Sequence, residues 1–449
     1  MPIVIVGGGI SGLSTAYYLA KASIPTTLIE KRPRLGGVIQ TERIDGCLVE
    51  GGPDSFLSAK PWAMDLIREL GLEGEVIGSN DHLRRTFIRK GGRLVAMPDG
   101  LQFLVPTRIA PILASPLLSW SAKARMGLEW FRHKPAERRP DCSVAEFVAG
   151  HYGQEAVEYL AEPLLAGVYG GTPELLSVSS VLPRFVELEA KYGSLSKGML
   201  AERGKPSASA QPIFRTLKDG LGSLISALTR FIESKVKIVH GEVEAIEPRP
   251  GGYRLRVSGD WIAASQLALA CESHESARLT SVLDPVLAGS LAGISYNSST
   301  VIAMGFDPAS FKKPLEGFGF LIPRRERKRL VACTFMATKF PFRAPQDRIL
   351  LRCFLGGLPD DGALLPSVLE ELRETIGLTG EPLFTRIYRW PLSMAQYMVG
   401  HQERVSAIEV RLRLHQGLHL AGNAYHGIGI PDCVRMGKQV AESLVNNGL

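Results

Sequence analysis

Cysteine is sparse: six residues scattered over a chain of 449, none in a CxxC pair. Thiolate zinc sites, iron–sulfur clusters and a disulfide framework are therefore not expected, and the usage fits a reducing, cytoplasmic compartment. The nine histidines show no metal-ligand spacing. No apolar run reaches transmembrane length. The net charge of +7 arises without a long Lys/Arg run. The densest basic stretch, Arg324-Arg325-Glu326-Arg327-Lys328-Arg329, reads as a solvated loop, so nucleic acid is not an expected partner. The positive excess favours an anionic substrate or an anionic lipid surface. No internal repeat is evident.

Glycine is plentiful at the start. Ile3-Val4-Ile5-Val6 is a short apolar run, followed at once by Gly7-Gly8-Gly9-Ile10-Ser11-Gly12. Leu13 to Lys21 reads as a helix, and Thr26-Thr27-Leu28-Ile29 as a second strand ending at Glu30. Strand, glycine turn, helix, strand and acid make the dinucleotide-binding βαβ unit. Gly7 allows the tight turn, Gly9 lets backbone approach a pyrophosphate, and Gly12 lets helix and strand pack closely. The helix N-terminus offers amides and a dipole to the phosphates. Glu30 stands where a carboxylate accepts hydrogen bonds from ribose hydroxyls and repels a 2′-phosphate. A secretory signal is the competing reading, but Met1 to Ala20 lacks a basic n-region and is glycine-rich in its middle.

Two further glycine stretches, Lys31-Arg32-Pro33-Arg34-Leu35-Gly36-Gly37-Val38 and Glu50-Gly51-Gly52-Pro53-Asp54-Ser55, resemble the FAD-dependent amine-oxidase and protoporphyrinogen-oxidase superfamily. The resemblance implies FAD, with Gly36-Gly37 close to the flavin pyrophosphate and Gly52-Pro53 along the isoalloxazine ring. Glycine permits such backbone contact without a side chain in the way. The C-terminus agrees. Leu418 to Leu420 reads as a short strand, Ala421-Gly422-Asn423 as a turn, and Gly427-Ile428-Gly429-Ile430-Pro431-Asp432 as the lead into a helix from about Cys433 to Val445. In the superfamily this helix points its N-terminus at the flavin ring and stabilises negative charge at the N1/O2 edge. Asp432 fits an N-cap equally well. Cys433 reads as a small buried residue, and His426 as a loop residue first and a base second.

The middle of the chain narrows the resemblance to the protoporphyrinogen oxidase family. Ser143-Val144-Ala145-Glu146-Phe147-Val148, Glu162 to Gly171, Gly317 to Pro323, Phe340 to Pro345 and Gly422 to Cys433 carry it in order along nearly the whole chain. The family oxidises a porphyrinogen by six electrons to the porphyrin, with O2 as acceptor, in haem and chlorophyll biosynthesis. By resemblance, Leu321 and Phe354 sandwich the macrocycle beside Phe318, Trp390 approaches the FAD, and Val243 contacts the adenine through its backbone. Lys31, Arg34, Val38, Asp54, Ser55, Ala421, Ile428 and Ile430 complete the implied cofactor contacts. Two departures stand out. Gln102 occupies the place of a propionate-binding arginine, with Arg93 and Arg108 as replacements. Asp54 stands where many relatives have a basic or amide residue, and would bind pyrrole N–H groups or point away. Protoporphyrinogen IX is the expected substrate and coproporphyrinogen III the alternative. The expected mechanism is three hydride transfers to flavin N5, with no side-chain base required. An amine oxidase, a carotenoid desaturase and a non-catalytic porphyrin carrier are the competing functions.

The expected fold is α/β (α+β overall). It comprises a Rossmann-like FAD-binding domain of discontinuous segments (1–84, 212–295 and 405–449), a helical, membrane-associating insertion (85–211) and a mixed-sheet substrate domain (296–404). Within the insertion, the uncharged stretch Ile109 to Ala122 reads either as an interfacial segment or as a buried helical hairpin. Gly193 to Gln211 reads as a loop. A monomer or homodimer, peripheral membrane contact and a hand-off to ferrochelatase complete the expectations.

Overall fold

The computed structural model describes residues 2–137, 139–202 and 211–446. In chain order, the elements that frame the site begin with β1 (Ile3–Val6), α1 (Ile10–Lys21), β2 (Thr26–Glu30), β3 (Thr86–Lys90) and β4 (Arg93–Ala96). The helical stretch contributes α2 (Ile109–Ala114), α3 (Trp120–Leu128), α4 (Glu162–Tyr169) and α5 (Leu195–Glu202). Next come β5 (Val236–His240), β6 (Leu267–Leu269), β7 (Tyr296–Phe306), β8 (Gly319–Leu321), β9 (Ala332–Phe335), β10 (Ile349–Gly356), α6 (Leu364–Ile376) and β11 (Phe384–Ala395). The chain closes with α7 (His401–Leu412), β12 (Leu418–Leu420) and α8 (Ile430–Asn446).

Two sheets carry the architecture. The first is parallel, in the order β5-β2-β1-β6-β12. Every residue of β1 and β2 is buried, as a sheet covered on both faces requires, which is why β1 reads as an unbroken apolar run. One face lies under α1 and α8. These helices touch so closely that a side chain at Gly437 would meet the Ser11 carbonyl oxygen at 2.6 Å, and Thr15 Oγ1 donates to the Gly437 carbonyl at 3.2 Å. The C-terminal helix is thereby locked onto the N-terminal glycine turn.

The second sheet has seven strands in the order β11-β7-β10-β9-β8-β3-β4. All neighbours are antiparallel except β8 and β3, which run parallel. Its rear face packs a core that includes Phe306, Phe320, Cys353 and Leu372 of α6. The front face looks toward the first sheet. Because β3 and β4 join this sheet, the stretch 85–211 is not helical throughout as the sequence suggested. Thr86 to Ala96 is extended because it completes a sheet whose other strands lie at least 200 residues away, a pairing no local pattern reveals.

The Ile109 to Ala122 stretch divides between its two readings. Leu117, Leu118 and Ala122 are buried in the helical core and Ile112 is buried as well, whereas Ile109 and Trp120 are 75% and 71% exposed. No helix among the described residues is long and apolar enough to cross a membrane. The expected loop at Gly193 to Gln211 holds α5 instead. Ser194 Oγ accepts the Lys197 amide at 3.1 Å, and buried Glu129 accepts the Leu195 amide at 2.6 Å, so this helix start is capped twice. Residues 203–210 of that expected loop lie outside the described residues.

Candidate active site

Between the two sheets runs a cavity of about 1660 Å³. One ligand site typically occupies about 300–1,000 Å³, so this space suits a dinucleotide and a second large molecule. One end is walled by Glu30 and Val243, the middle by Gly9, Gly37, Gly52 and Gly429, and the far end by Leu321 and Phe354.

The cradle at the first end follows from glycine geometry. Gly7 has φ +107°, and a side chain on Gly12 would collide with the Gly7 carbonyl. Gly9 faces open space, with nothing within 4 Å of where its Cβ would lie. Gly9 also N-caps α1 without any side-chain hydrogen bond, so the amides of this 12-residue helix start toward the cavity uncapped. Gly8 does not line the cavity; its amide donates to Glu30 Oε2 at 2.6 Å. The Arg32 amide donates to Glu30 Oε1 at 2.8 Å. A carboxylate offers about four acceptor positions, so Glu30 retains capacity for ribose hydroxyls.

Lys31, Gly36, Gly37 and Val38 line the cavity, as do Gly52, Pro53 and Ser55. A side chain at Gly52 would strike the Val38 carbonyl, which explains the close approach of the two loops. Arg34 turns away from the cavity. Its guanidinium donates to the carbonyls of Leu35, Gly37 and Ile39, so it shapes the loop rather than facing a ligand. Trp390 donates from Nε1 to the Gly51 carbonyl at 2.8 Å and presents its ring to the cavity.

The C-terminal return meets the cradle. Ile10 and Ser11 at the start of α1, and Ile428, Gly429 and Ile430 at the start of α8, line the same cavity. Gly422 joins them, while Ala421 is buried behind in the strand core. Helix α8 starts at Ile430, earlier than expected, so Asp432 lies in its first turn and is not an N-cap. Its carboxylate instead accepts from Lys60 Nζ at 2.6 Å. Cys433 is buried, and burial pushes its thiol up to about 11, which keeps it protonated. His426 is exposed and pairs with Glu409 at 2.7 Å.

The loop before α8 is held by two residues that sequence reasoning missed. Tyr397 Oη accepts the Gly427 amide and donates to the Asn423 carbonyl, both at 2.8 Å. His401 stacks on Tyr397 with centroids 4.0 Å apart and planes 13° from parallel. Burial holds the His401 pKa down to about 4.

At the far end the strand register builds a slot. Leu321 of β8 faces Ala332 of β9, and Ala332 faces Phe354 of β10. Partners in one row share a face, so two large side chains flank a small one. Two strand spacings separate Leu321 from Phe354, about 9.6 Å. The two residues therefore stand side by side on one sheet face, with the gap over Ala332. Phe318 lines the cavity nearby. The signal for the slot was a small residue between two bulky rows, but it emerges only once the register is known.

The anion-binding expectation is corrected. Gln102 is exposed on a short hairpin, Leu101–Gln102 paired with Val105–Pro106, and is not part of the cavity wall. Arg93 and Arg108 are exposed and outside the wall as well. Asp54 does line the cavity, but its carboxylate is taken by Lys339 Nζ at 2.9 and 3.0 Å and by Arg352 Nη1 at 3.1 Å. Burial opposes its ionisation, yet Lys339 and then Arg352 hold the carboxyl well below the usual range. Asp54 is thus not free to bind pyrrole N–H groups.

Comparison with known proteins agrees with this geometry. The model of the flavin containing amine oxidoreductase family matches residues 10–445. Coproporphyrinogen III oxidase of Bacillus subtilis is 34% identical over 97% of this chain and 96% of its own. The enzyme of the same name from Staphylococcus aureus is 30% identical over 99% and 98%. A crystal structure of a protein from Exiguobacterium, provisionally named protoporphyrinogen oxidase, superimposes with a TM-score of 0.87 at 32% identity, covering 99% of this chain and 98% of that one. The chain belongs to the flavin containing amine oxidoreductase family, within it to the porphyrinogen oxidases, and its cofactor is FAD.

Proposed function

We propose that the chain oxidises coproporphyrinogen III to coproporphyrin III, in haem biosynthesis, with O2 as acceptor. The observation that carries this reading is the slot of Leu321, Ala332 and Phe354, which continues from the glycine cradle in one cavity whose wall also holds Lys339 and Arg352. A macrocycle with four carboxylate arms needs an apolar slot and nearby cations. The names of the B. subtilis and S. aureus relatives support the same substrate. Protoporphyrinogen IX is the second reading, favoured by the name of the Exiguobacterium protein.

Bound FAD supplies the two-electron acceptor, used three times per macrocycle. The chain's own residues position and shield. Leu321 and Phe354 hold the macrocycle edge-on above Ala332. Trp390 fixes the Gly51 carbonyl, and Arg352 the Gly52 carbonyl, so the loop beside the flavin stays in place. The N-terminal end of α8, where Ile428, Gly429 and Ile430 line the cavity, favours negative charge there. No side-chain base is needed in this account; orientation and exclusion of water are the protein's contribution.

Anaerobic mixing of the holoenzyme with each porphyrinogen tests the reading. Coproporphyrinogen III is expected to bleach the visible flavin band faster than protoporphyrinogen IX, with colour and porphyrin fluorescence appearing on admission of air. Bleaching by neither would overturn the oxidase reading; faster bleaching by protoporphyrinogen IX would reverse the choice of substrate.

A further inference from the structure

Asp54, Lys339 and Arg352 form a buried ionic cluster on the cavity wall with one carboxylate against two cations. Arg352 is 1% exposed and Asp54 9%. Both Asp54 oxygens are occupied: Oδ1 by Ser55 Oγ at 2.6 Å and Lys339 Nζ at 3.0 Å, Oδ2 by Lys339 Nζ at 2.9 Å and Arg352 Nη1 at 3.1 Å. Buried Glu50 and Arg343 add one further charge of each sign around Arg352, so one positive charge is left over in a low-dielectric wall, where an uncompensated charge is costly unless an anion joins it. Arg352 Nε is, in addition, a buried donor with no hydrogen-bond partner among the described residues.

The cluster's position relative to the slot follows from strand register. Arg352 precedes Phe354 by two residues on β10, so the two share a face about 6.8 Å apart. The guanidinium lies 5.0 Å from the Phe354 ring centre. The row of Gly319, Thr334 and Arg352 runs directly beside the row of Leu321, Ala332 and Phe354. A two-methylene carboxylate arm on a macrocycle seated in the slot reaches across that one row.

Resting on the porphyrinogen reading, we propose that Lys339 with Arg352 forms the subsite for a propionate carboxylate of the substrate, and that the residual charge of the cluster makes the enzyme select carboxylate-bearing macrocycles. Two other basic pairs on the wall serve this role less well. Arg327 is tied to Glu162 at 2.8 Å. Lys60 pairs with Asp432 at the start of α8, beside the cradle, and its side chain is 41% exposed, so solvent and salt screen it.

Binding of coproporphyrin III and its tetramethyl ester to the FAD-loaded protein, followed by fluorescence in one detergent buffer, provides the test. Wild type is expected to bind the free acid more tightly, with an affinity that falls with salt. Lys339→Met, which neutralises the cluster, is expected to weaken acid binding about tenfold or more while leaving ester binding unchanged. Lys339→Arg should restore acid binding. Asp54→Asn, which leaves both cations unpaired, should shift it the other way. The flavin spectrum reports that each variant is folded. Acid affinity equal to wild type in Lys339→Met, or loss of the preference in Lys60→Met alone, would overturn the proposal. Failure of wild type to bind either porphyrin would instead overturn the substrate reading, and the subsite with it.

Discussion

At the proposed macrocycle slot a single methyl group, that of Ala332, sets the floor. The residue is 5% exposed and lies between Leu321 and Phe354 in one cross-strand row. Ala332→Leu adds three carbons to a slot whose walls are fixed by sheet register, so overpacking of about 1–3 kcal/mol must be taken up by the slot itself. The variant is expected to retain FAD, because the cradle is remote in the fold, and to lose porphyrinogen-driven flavin reduction by about tenfold or more. Stopped-flow reduction beside the visible flavin spectrum checks this; reduction at the wild-type rate would place the macrocycle elsewhere. Residue identity was legible where chemistry is local. Gly7, Gly12 and Glu30 announce themselves because strand, turn and helix are contiguous. Ala332 and Lys339 were illegible, because an alanine in a strand and a lysine ending a short helix gain meaning only from residues far away in sequence.

At the scale of elements, α7 and the loop before α8 form one mechanical unit joined by the Tyr397–His401 stack. The neutral imidazole fits this buried place and donates from Nε2 to the Tyr425 carbonyl at 3.3 Å. Its folded pKa of about 4 lies below the ordinary value of 6.5. The unfolded chain therefore takes up a proton between these values that the folded chain refuses. Stability is fully present above pH 6.5 and falls as pH drops toward 4. Between pH 7 and pH 5 this group alone is expected to cost about 2 kcal/mol. His401→Phe keeps a flat ring and should show a correspondingly smaller loss in urea unfolding over that range; an equal loss in both proteins would contradict the account. Most elements were readable from periodicity, including β1, α1, β2 and α8. The exceptions have physical causes. Helix α5 was hidden by small polar residues and is held by the Ser194 cap and Glu129. Strands β3 and β4 were hidden because their partners lie in the distant seven-stranded sheet. The Gln102 hairpin was misplaced because a motif position does not state which way a short exposed hairpin points.

For the whole molecule, the discontinuity of the chain is what makes the site. The N-terminal turn, the C-terminal helix and the central strands converge on one cavity because α1 and α8 lock together while the seven-stranded sheet supplies the opposite wall. The family resemblance anticipated this convergence. It could not specify the cavity's charge, which depends on ion pairs such as Asp54 with Lys339 that join residues 285 positions apart. The central claim is that this cavity performs a complete six-electron oxidation of coproporphyrinogen III with O2. The most direct measurement is oxygen uptake, with an electrode, against coproporphyrin III formed, by fluorescence, in the same vessel and corrected for autoxidation. The account predicts enzyme-dependent turnover consuming three O2 per porphyrin and yielding three hydrogen peroxide. Porphyrin formation no faster than the enzyme-free control would contradict it.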